Sequence, residues 1–344
     1  MDLFALTRAL VEIESVTNNE AMCGEFLFGH LSPLAAKYGG RVERMAVEAQ
    51  RFNVFATWGD PVVTMSTHMD TVPPFFPFSE DDEFLWGRGA CDAKGIMAAM
   101  ICAAEQLLEE GISDLGLLFV VGEERNSAGA RIAAQTPRGS RYLINGEPTE
   151  NKLCLASKGA LRFELRARGQ LAHSGYPALG RSAIDALLDA LENIRHLALP
   201  SDSLLGRSTL NIGTISGGRA PNVVADAAQA EIMFRLVGDP APVRETVHKA
   251  AAGRVEVTEV LYTPVFHFSA FDGLPTSVVA FTTDVPTLHE TWGTPFLIGP
   301  GSIHVAHTAE ERIAKRELRD AVAIYVSMVK RLLALHREDS EKSA

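Results

Sequence analysis

The stretch KGIMAAMICAAEQLLEEGISDLGLLFVVGEE, Lys94–Glu124, decides how this chain folds. Its first half, Lys94 to Gly111, is apolar around most of its circumference and is stopped by glycine, which reads as a mostly buried helix. Its second half, LGLLFVVGEE, is an unbroken apolar run ending in two acids, the pattern of a strand covered on both faces. Upstream, PVVTMSTHMD is another such strand, ending at Asp70, and downstream YLINGEP, around Leu143 to Glu147, repeats the design. An amphipathic opening helix with Leu3, Leu6, Leu10 and Ile13 on one face completes an alternating α/β third. Three strands thus end in titratable residues, and open parallel sheets bind ligands beyond the carboxyl ends of their strands.

Near Ser157 the pattern changes to period-2 alternation: Leu161, Phe163, Leu165 and Ala167 face one way, Arg162, Glu164 and Arg166 the other. That is a half-exposed antiparallel strand. A helix from about Arg181 to Leu197, the strands STLNIGTISGG and AQAEIMFRLVG, a helix near Val243 to Ala252 and the strand VEVTEVLY complete a small α+β domain. From about Phe266 the α/β style returns with TPFLIGPG and a closing helix carrying Leu318, Val322, Tyr325, Val329 and Leu332. The expected organisation is a discontinuous first domain, residues 1–157 and 266–344, interrupted by a second at 158–265. The polar tail REDSEKSA is expected to fray.

The composition limits the function classes. With 344 residues, 47% of them hydrophobic, the chain can fill the cores of about two domains. Thirty-two Lys and Arg against 43 Asp and Glu give a net charge of −11, which argues against nucleic acid or an anionic membrane as a partner held by bulk charge. No apolar run is long enough to span a bilayer, and the N-terminus carries charges where a signal peptide needs an apolar run, so a soluble cytoplasmic protein is expected. The cysteines, Cys23, Cys91, Cys102 and Cys154, form no CxxC pair, so any metal must use histidine and carboxylate.

Such residues recur at strand ends and in loops: His68 and Asp70 in STHMDTV, Asp92 in GRGACDAKG, Glu123 and Glu124 in VGEERNSAGA, Glu147 in INGEP, and His307 in GPGSIHVAHT. Singly each is weak, since an HxD is more often a surface loop and an EE pair is usually solvated. Together, two histidines and three carboxylates make the ligand set of a two-metal site, with one carboxylate bridging ions about 3.5 to 4 Å apart. All-nitrogen-and-oxygen ligands suit zinc, with cobalt or manganese as substitutes. Such a site answers the needs of amide hydrolysis: a nucleophile at neutral pH, a stabilised oxyanion and a proton for the leaving nitrogen.

The motifs HMDTVP, GRGACDAKG, EERNSAGA, GEP, AHSGYP, GRAPNVVAD and GPGSIHVAHTAEE, in this order, resemble the aminoacylase, acetylornithine deacetylase, succinyl-diaminopimelate desuccinylase and carboxypeptidase-G family of dinuclear zinc hydrolases. The resemblance spans nearly the whole chain. It implies a zinc-peptidase-like mixed sheet flanked by helices, with a smaller inserted α+β lid or dimerisation domain. It also implies two Zn2+ per subunit, one held by His68, Asp92 and Glu147, the other by Asp92, Glu124 and His307, so that Asp92 bridges. Asp70 would accept the second N–H of His68 and fix its tautomer. Glu123 would be the general base that takes a proton from the attacking water and delivers it to the leaving amine.

In the inserted domain, His173 matches a histidine that reaches the partner subunit's active site and helps stabilise the oxyanion, which implies a homodimer. Asn222 and Arg235 match positions that bind the substrate carboxylate, a task suited to an arginine fork; an exposed-face arginine is the alternative for Arg235. Two departures stand out. Ala225 replaces a proline and should loosen its turn, and FTTDV, around Thr282 to Asp284, replaces a small-residue loop and should narrow the acceptor side. Phe75, Phe76 and Phe78 read as a core cluster, or else as the lining of an apolar pocket. The function expected is deacylation of an N-acetyl amino acid such as acetylornithine or acetyl-lysine. A di- or tripeptide or a succinylated diamino acid is the alternative substrate with the same site, and a non-catalytic homologue is disfavoured by the complete ligand set. No GxGxxG fingerprint and no GxSxG elbow is present, which removes dehydrogenase and serine-hydrolase readings.

Overall fold

The computed structural model describes residues 2–251 and 253–343. They form two compact units: residues 2–155 with Phe268–Ser277 and 283–343, and Ala156–His267 with Val278–Thr282. The short return to the second unit at Val278–Thr282 is not marked by any change of sequence pattern.

The first unit is built on a mixed sheet in the order Arg41–Glu48, Arg51–Trp58, Leu115–Val120, Val63–His68, Tyr142–Asn145, Thr294–Leu297 and Leu153–Ser157. Its four central strands, from Leu115–Val120 to Thr294–Leu297, run parallel, and Arg51–Trp58 and Leu153–Ser157 flank them antiparallel. Every residue of Val63–His68 and Leu115–Val120 is buried. Period-2 alternation divides them between two cores. Leu115, Leu117 and Phe119 join the large cluster formed with helices Leu3–Val11, Ala21–Lys37, Lys94–Glu109 and Lys315–Ser343. Leu118 and Val120 point the other way, towards Ala130, Ala133, Leu288 and Trp292 on helices Ala128–Gln135 and Val285–Trp292. A strand that serves two cores has to be apolar throughout, which is why LGLLFVV shows no polar alternation.

Local signals hold at the ends. Asp2 caps the first helix by accepting the N–H of Phe4 and Ala5, and that helix closes at Val11, before Ile13. Helix Lys94–Glu109 ends just before Gly111, whose φ of +76° an L side chain would resist. The C-terminal helix runs to Ser343, so Arg337–Ser343 is helical rather than frayed; Ala344 lies outside the described residues. Propagation adds one hydrogen bond per residue to turns already packed at Tyr325, Val329 and Leu332, and the charged tail residues are good helix formers.

The second unit carries a four-stranded antiparallel sheet, in the order Thr209–Gly217, Ala227–Leu236, Gly159–Arg168 and Val255–Thr263. Its inward residues Leu161, Phe163, Leu165, Ala230, Ile232 and Phe234 pack on Ala186, Leu187 and Leu191 of helix Ala183–Arg195 and on Val243 and Val247 of helix Ala241–Ala250. Ala252, the expected end of that last helix, lies outside the described residues. Among the described residues no helix is long and apolar enough to cross a membrane.

Candidate metal centre

His68 is the last residue of its strand and is 1% exposed. Its Nε2 lies 2.9 Å from Asp92 Oδ1, while Nδ1–H donates to the main-chain carbonyl of Asp70 at 2.9 Å. The carboxylate expected to take that proton is farther, with Asp70 Oδ1 at 3.6 Å from Nδ1. It is engaged elsewhere: Oδ1 accepts the Glu123 N–H at 3.0 Å, and Oδ2 accepts the Thr17 hydroxyl at 2.8 Å and the Glu124 N–H at 3.2 Å. Asp70 therefore ties the end of one strand to the loop beyond the next. Burial opposes its charge, but these donors and His68 hold its carboxyl below the usual range.

Asp92 sits in the turn before helix Lys94–Glu109 and is buried. Its two oxygens face different imidazoles, Oδ1 that of His68 and Oδ2 the Nε2 of His307 at 3.3 Å. Burial works against ionisation of Asp92, and the two histidines outweigh it and hold the carboxyl low. His307 Nε2 also lies 2.9 Å from Glu124 Oε1. Those two carboxylates push the His307 imidazole up to about 10. One nitrogen of His68 and one oxygen each of Asp92 and Glu124 lie within 4.8 Å of one another.

Glu147 follows strand Tyr142–Asn145 and is 4% exposed. Among the described residues it makes no side-chain ion pair; burial, partly offset by His68 and reinforced by Asp92 and Glu124, drives its carboxyl well above the usual range. Its backbone is crowded: a Cβ on Gly299 would come within 2.6 Å of the Glu147 carbonyl, so only glycine fits there. Burial likewise pushes Glu123 well above the usual range, with Glu147 the next contributor. Glu123 and Glu124 follow strand Leu115–Val120.

Two charged residues that sequence reading did not single out belong to this neighbourhood. Asp284 is 1% exposed, and among the described residues neither of its oxygens has a hydrogen-bond partner in good geometry. Burial pushes it up to about 6, with partial relief from the nearby Ser127 side chain and His68. The second is Glu311, which lies in the segment that carries His307.

Asp70, Asp92, Glu123, Glu124, Glu147 and Asp284 thus face two imidazoles. That excess of negative charge, where His68, Asp92 and Glu147 are buried and His307 is exposed, is what divalent cations offset, and the donors are the nitrogen and oxygen types zinc accepts, so the residues fit a two-ion centre. His68, Asp92, Glu124, Glu147 and His307 are the residues that could hold the ions, and among the described residues His68, Asp92 and Glu124 are the three whose donor atoms converge.

The remaining candidates lie in the second unit. His173 is exposed; its Nδ1 accepts the Gly175 N–H at 3.0 Å, and Ser174 N–H donates to the Asn222 carbonyl at 3.0 Å, so the His173 and Asn222 loops are adjacent. Arg235 is half-buried rather than exposed, and its Nη1 donates to Thr282 Oγ1 at 3.4 Å. Ala225 does not leave a loose turn: it is buried and its carbonyl accepts the Ala183 N–H at 2.8 Å. Phe75, Phe76 and Phe78 are half-buried: Phe78 packs against the large core, and Phe76 lies under the Arg88 guanidinium, 5.1 Å from its ring centroid.

Residues 64–331 match peptidase family M20/M25/M40. A peptidase M20 domain-containing protein of Schizosaccharomyces pombe is 38% identical over 340 residues, covering 95% of this chain and 84% of its own. A probable carboxypeptidase of Aspergillus flavus is 38% identical over 374 residues, covering 95% and 86%. Among solved structures, a tripeptidase of Staphylococcus aureus shares the fold with a TM-score of 0.79 at 22% identity, covering 96% of this chain and 97% of the other.

Proposed function

The chain belongs to peptidase family M20/M25/M40, and from that premise we propose that it is a zinc-dependent hydrolase of amide bonds whose leaving nitrogen belongs to an amino acid with a free carboxylate. The observation that carries this reading is Asp92, whose two oxygens face the nitrogens of His68 and His307 at 2.9 and 3.3 Å. Two zinc ions, when bound, would polarise the scissile carbonyl and lower the pKa of the attacking water. The rest falls to side chains. Glu123, held through its main chain by Asp70, takes the proton of the attacking water and hands it to the leaving nitrogen. Its burial raises its carboxyl above the usual range, the direction that a group that both accepts and returns a proton requires.

His173 contributes to the oxyanion from a partner subunit, and Asn222 and Arg235 receive the substrate carboxylate, the guanidinium doing so as a two-pronged donor. A homodimer formed through the second unit follows from this role of His173. Among the described residues the four cysteines form no disulfide, in keeping with a reducing compartment such as the cytoplasm.

Two substrate classes share this leaving group. In an N-acyl amino acid such as acetylornithine or acetyl-lysine the acyl side is acetyl; in a peptide cut at its C-terminal residue it is the rest of the peptide. The name of the Aspergillus flavus relative, a probable carboxypeptidase, favours the peptide. A panel of N-acetyl and N-succinyl amino acids, dipeptides and tripeptides, assayed after chelation and again with zinc restored, tests the proposal. Zinc-restored release of a C-terminal amino acid is the expected outcome. Release only from N-acetyl amino acids selects the deacetylase, and two bound zinc ions without hydrolysis of any member overturns the reading.

A further inference from the structure

Glu311 closes the motif that carries His307, and both its oxygens are committed. Oε1 accepts three main-chain N–H groups, those of Gly89 at 2.9 Å, Cys91 at 3.2 Å and Asp92 at 3.1 Å. Oε2 pairs with Nη1 of Arg88, and the two side chains are 1% and 2% exposed. Arg88 in turn donates through Nε to the Pro74 carbonyl at 3.1 Å.

This arrangement follows from the local backbone. Residues 87–93 form neither strand nor helix, so their amides lack the partners a ladder would give them. The short antiparallel pairing of Arg312–Ala314 with Phe84–Trp86 brings Glu311 beside that turn, and the Gly87 N–H donates to the Glu311 carbonyl at 3.1 Å. The side chain then does for the turn what a neighbouring strand does elsewhere. Arg88 supplies the countercharge that allows a second carboxylate to be buried next to Asp92.

We propose that Glu311, with Arg88 as its counterion, is the positioning residue that fixes the turn carrying Asp92, so that the two Asp92 oxygens face His68 and His307. The proposal rests on the reading of Asp92 as the bridging ligand. It assigns Glu311 no contact with substrate or metal; it acts through the main chain of its neighbours. Because His307 lies four residues earlier on the same segment, Glu311 also couples a ligand from the end of the chain to a ligand from its first third.

The experiment is zinc titration of chelator-treated protein against a chromogenic competitor, for the wild type, Glu311→Gln and Glu311→Asp, with unfolding followed on the same apo samples. Glutamine keeps the size but turns an N–H2 towards Arg88 or the three amides, and aspartate keeps the charge on a shorter arm. Both variants are expected to bind zinc more weakly, by about 10 to 100-fold, the usual cost of disturbing groups that hold metal ligands. The aspartate variant is expected to lose less than the glutamine one. A structural role alone would lower apo stability and leave the zinc affinity of the folded protein unchanged. Wild-type affinity in either folded variant overturns the inference, the aspartate variant deciding it if the glutamine variant does not fold. Failure of the wild type to bind two zinc ions overturns the metal-centre reading instead.

Discussion

Asp70 Oδ1 accepts the main-chain N–H of Glu123 at 3.0 Å, so the carboxylate two residues beyond His68 sets the position of the proposed general base. Asparagine at this position would present an N–H2 to one of the two amides that now find an acceptor. Asp70→Asn is expected to lower kcat/KM by about 10 to 100-fold at saturating zinc. The pH dependence has a definite sign. The folded carboxyl lies below its unfolded value, so its stabilisation is complete above about pH 4 and is lost as pH falls through the folded value. Chemical denaturation of both proteins from pH 7 to 3 should show their stability difference shrinking on the acid side.

Glu123 is assigned to proton transfer and not to holding metal. Glu123→Gln is expected to retain both zinc ions by elemental analysis while kcat falls by about 10^2 to 10^4-fold. Loss of one ion in this variant would reassign the residue as a ligand.

Metal uptake should expel protons. Asp92 and Glu124 push the His307 imidazole up to about 10, and Asp70 and Asp92 raise His68 against the effect of burial. At about 10 the His307 ring is imidazolium at neutral pH, and a metal ligand must be neutral imidazole. Zinc affinity is expected to rise with pH between 6 and about 9. Calorimetric titration in buffers of different ionisation enthalpy checks this, and a buffer-independent heat would contradict it.

Among the described residues Asp284 has no hydrogen-bond partner in good geometry, and burial pushes its carboxyl up to about 6 despite the nearby Ser127 side chain. A folded value above the unfolded one means that stability is fully present below about pH 4 and is lost as pH rises through 6. Asp284→Asn is therefore expected to match the wild type near pH 4 and to exceed it at pH 8, by roughly 3 kcal/mol at most. Denaturant titration of chelator-treated protein at the two pH values measures the difference.

If His173 serves the partner subunit, two inactive proteins should complement. In a mixed dimer of Glu123→Gln and His173→Ala, one of the two sites has both residues intact. Random exchange of subunits should restore roughly a quarter of wild-type activity, half the dimers being mixed and each having one good site. No recovery after demonstrated exchange would place His173 outside the partner's site.

The sequence by itself determined the elements and singled out the residues proposed for the centre. The run Leu115–Val121 is apolar at every position because its two faces feed two cores, and the alternation at Leu161, Phe163 and Leu165 marks a sheet with one covered face. Side-chain periods of 3.6 and 2 are local, so neighbours along the chain reveal them. His68, Asp92, Glu123, Glu124, Glu147 and His307 were legible because they follow apolar strands or glycine turns in ordered motifs. Only the tertiary structure decided how they are held. Glu311 meets Arg88 across 223 residues, and in sequence it is the second of two acids after an alanine, the pattern of a solvated turn. Asp284 carries no local sign of being buried without a donor. The choice of the Asp70 carbonyl over its carboxylate as the partner of His68 was equally invisible, because it depends on Thr17 and the amides of Glu123 and Glu124 occupying that carboxylate. Burial and pairing of a charge depend on which distant segments close around it, and that information is set by packing and not by the spacing of nearby residues.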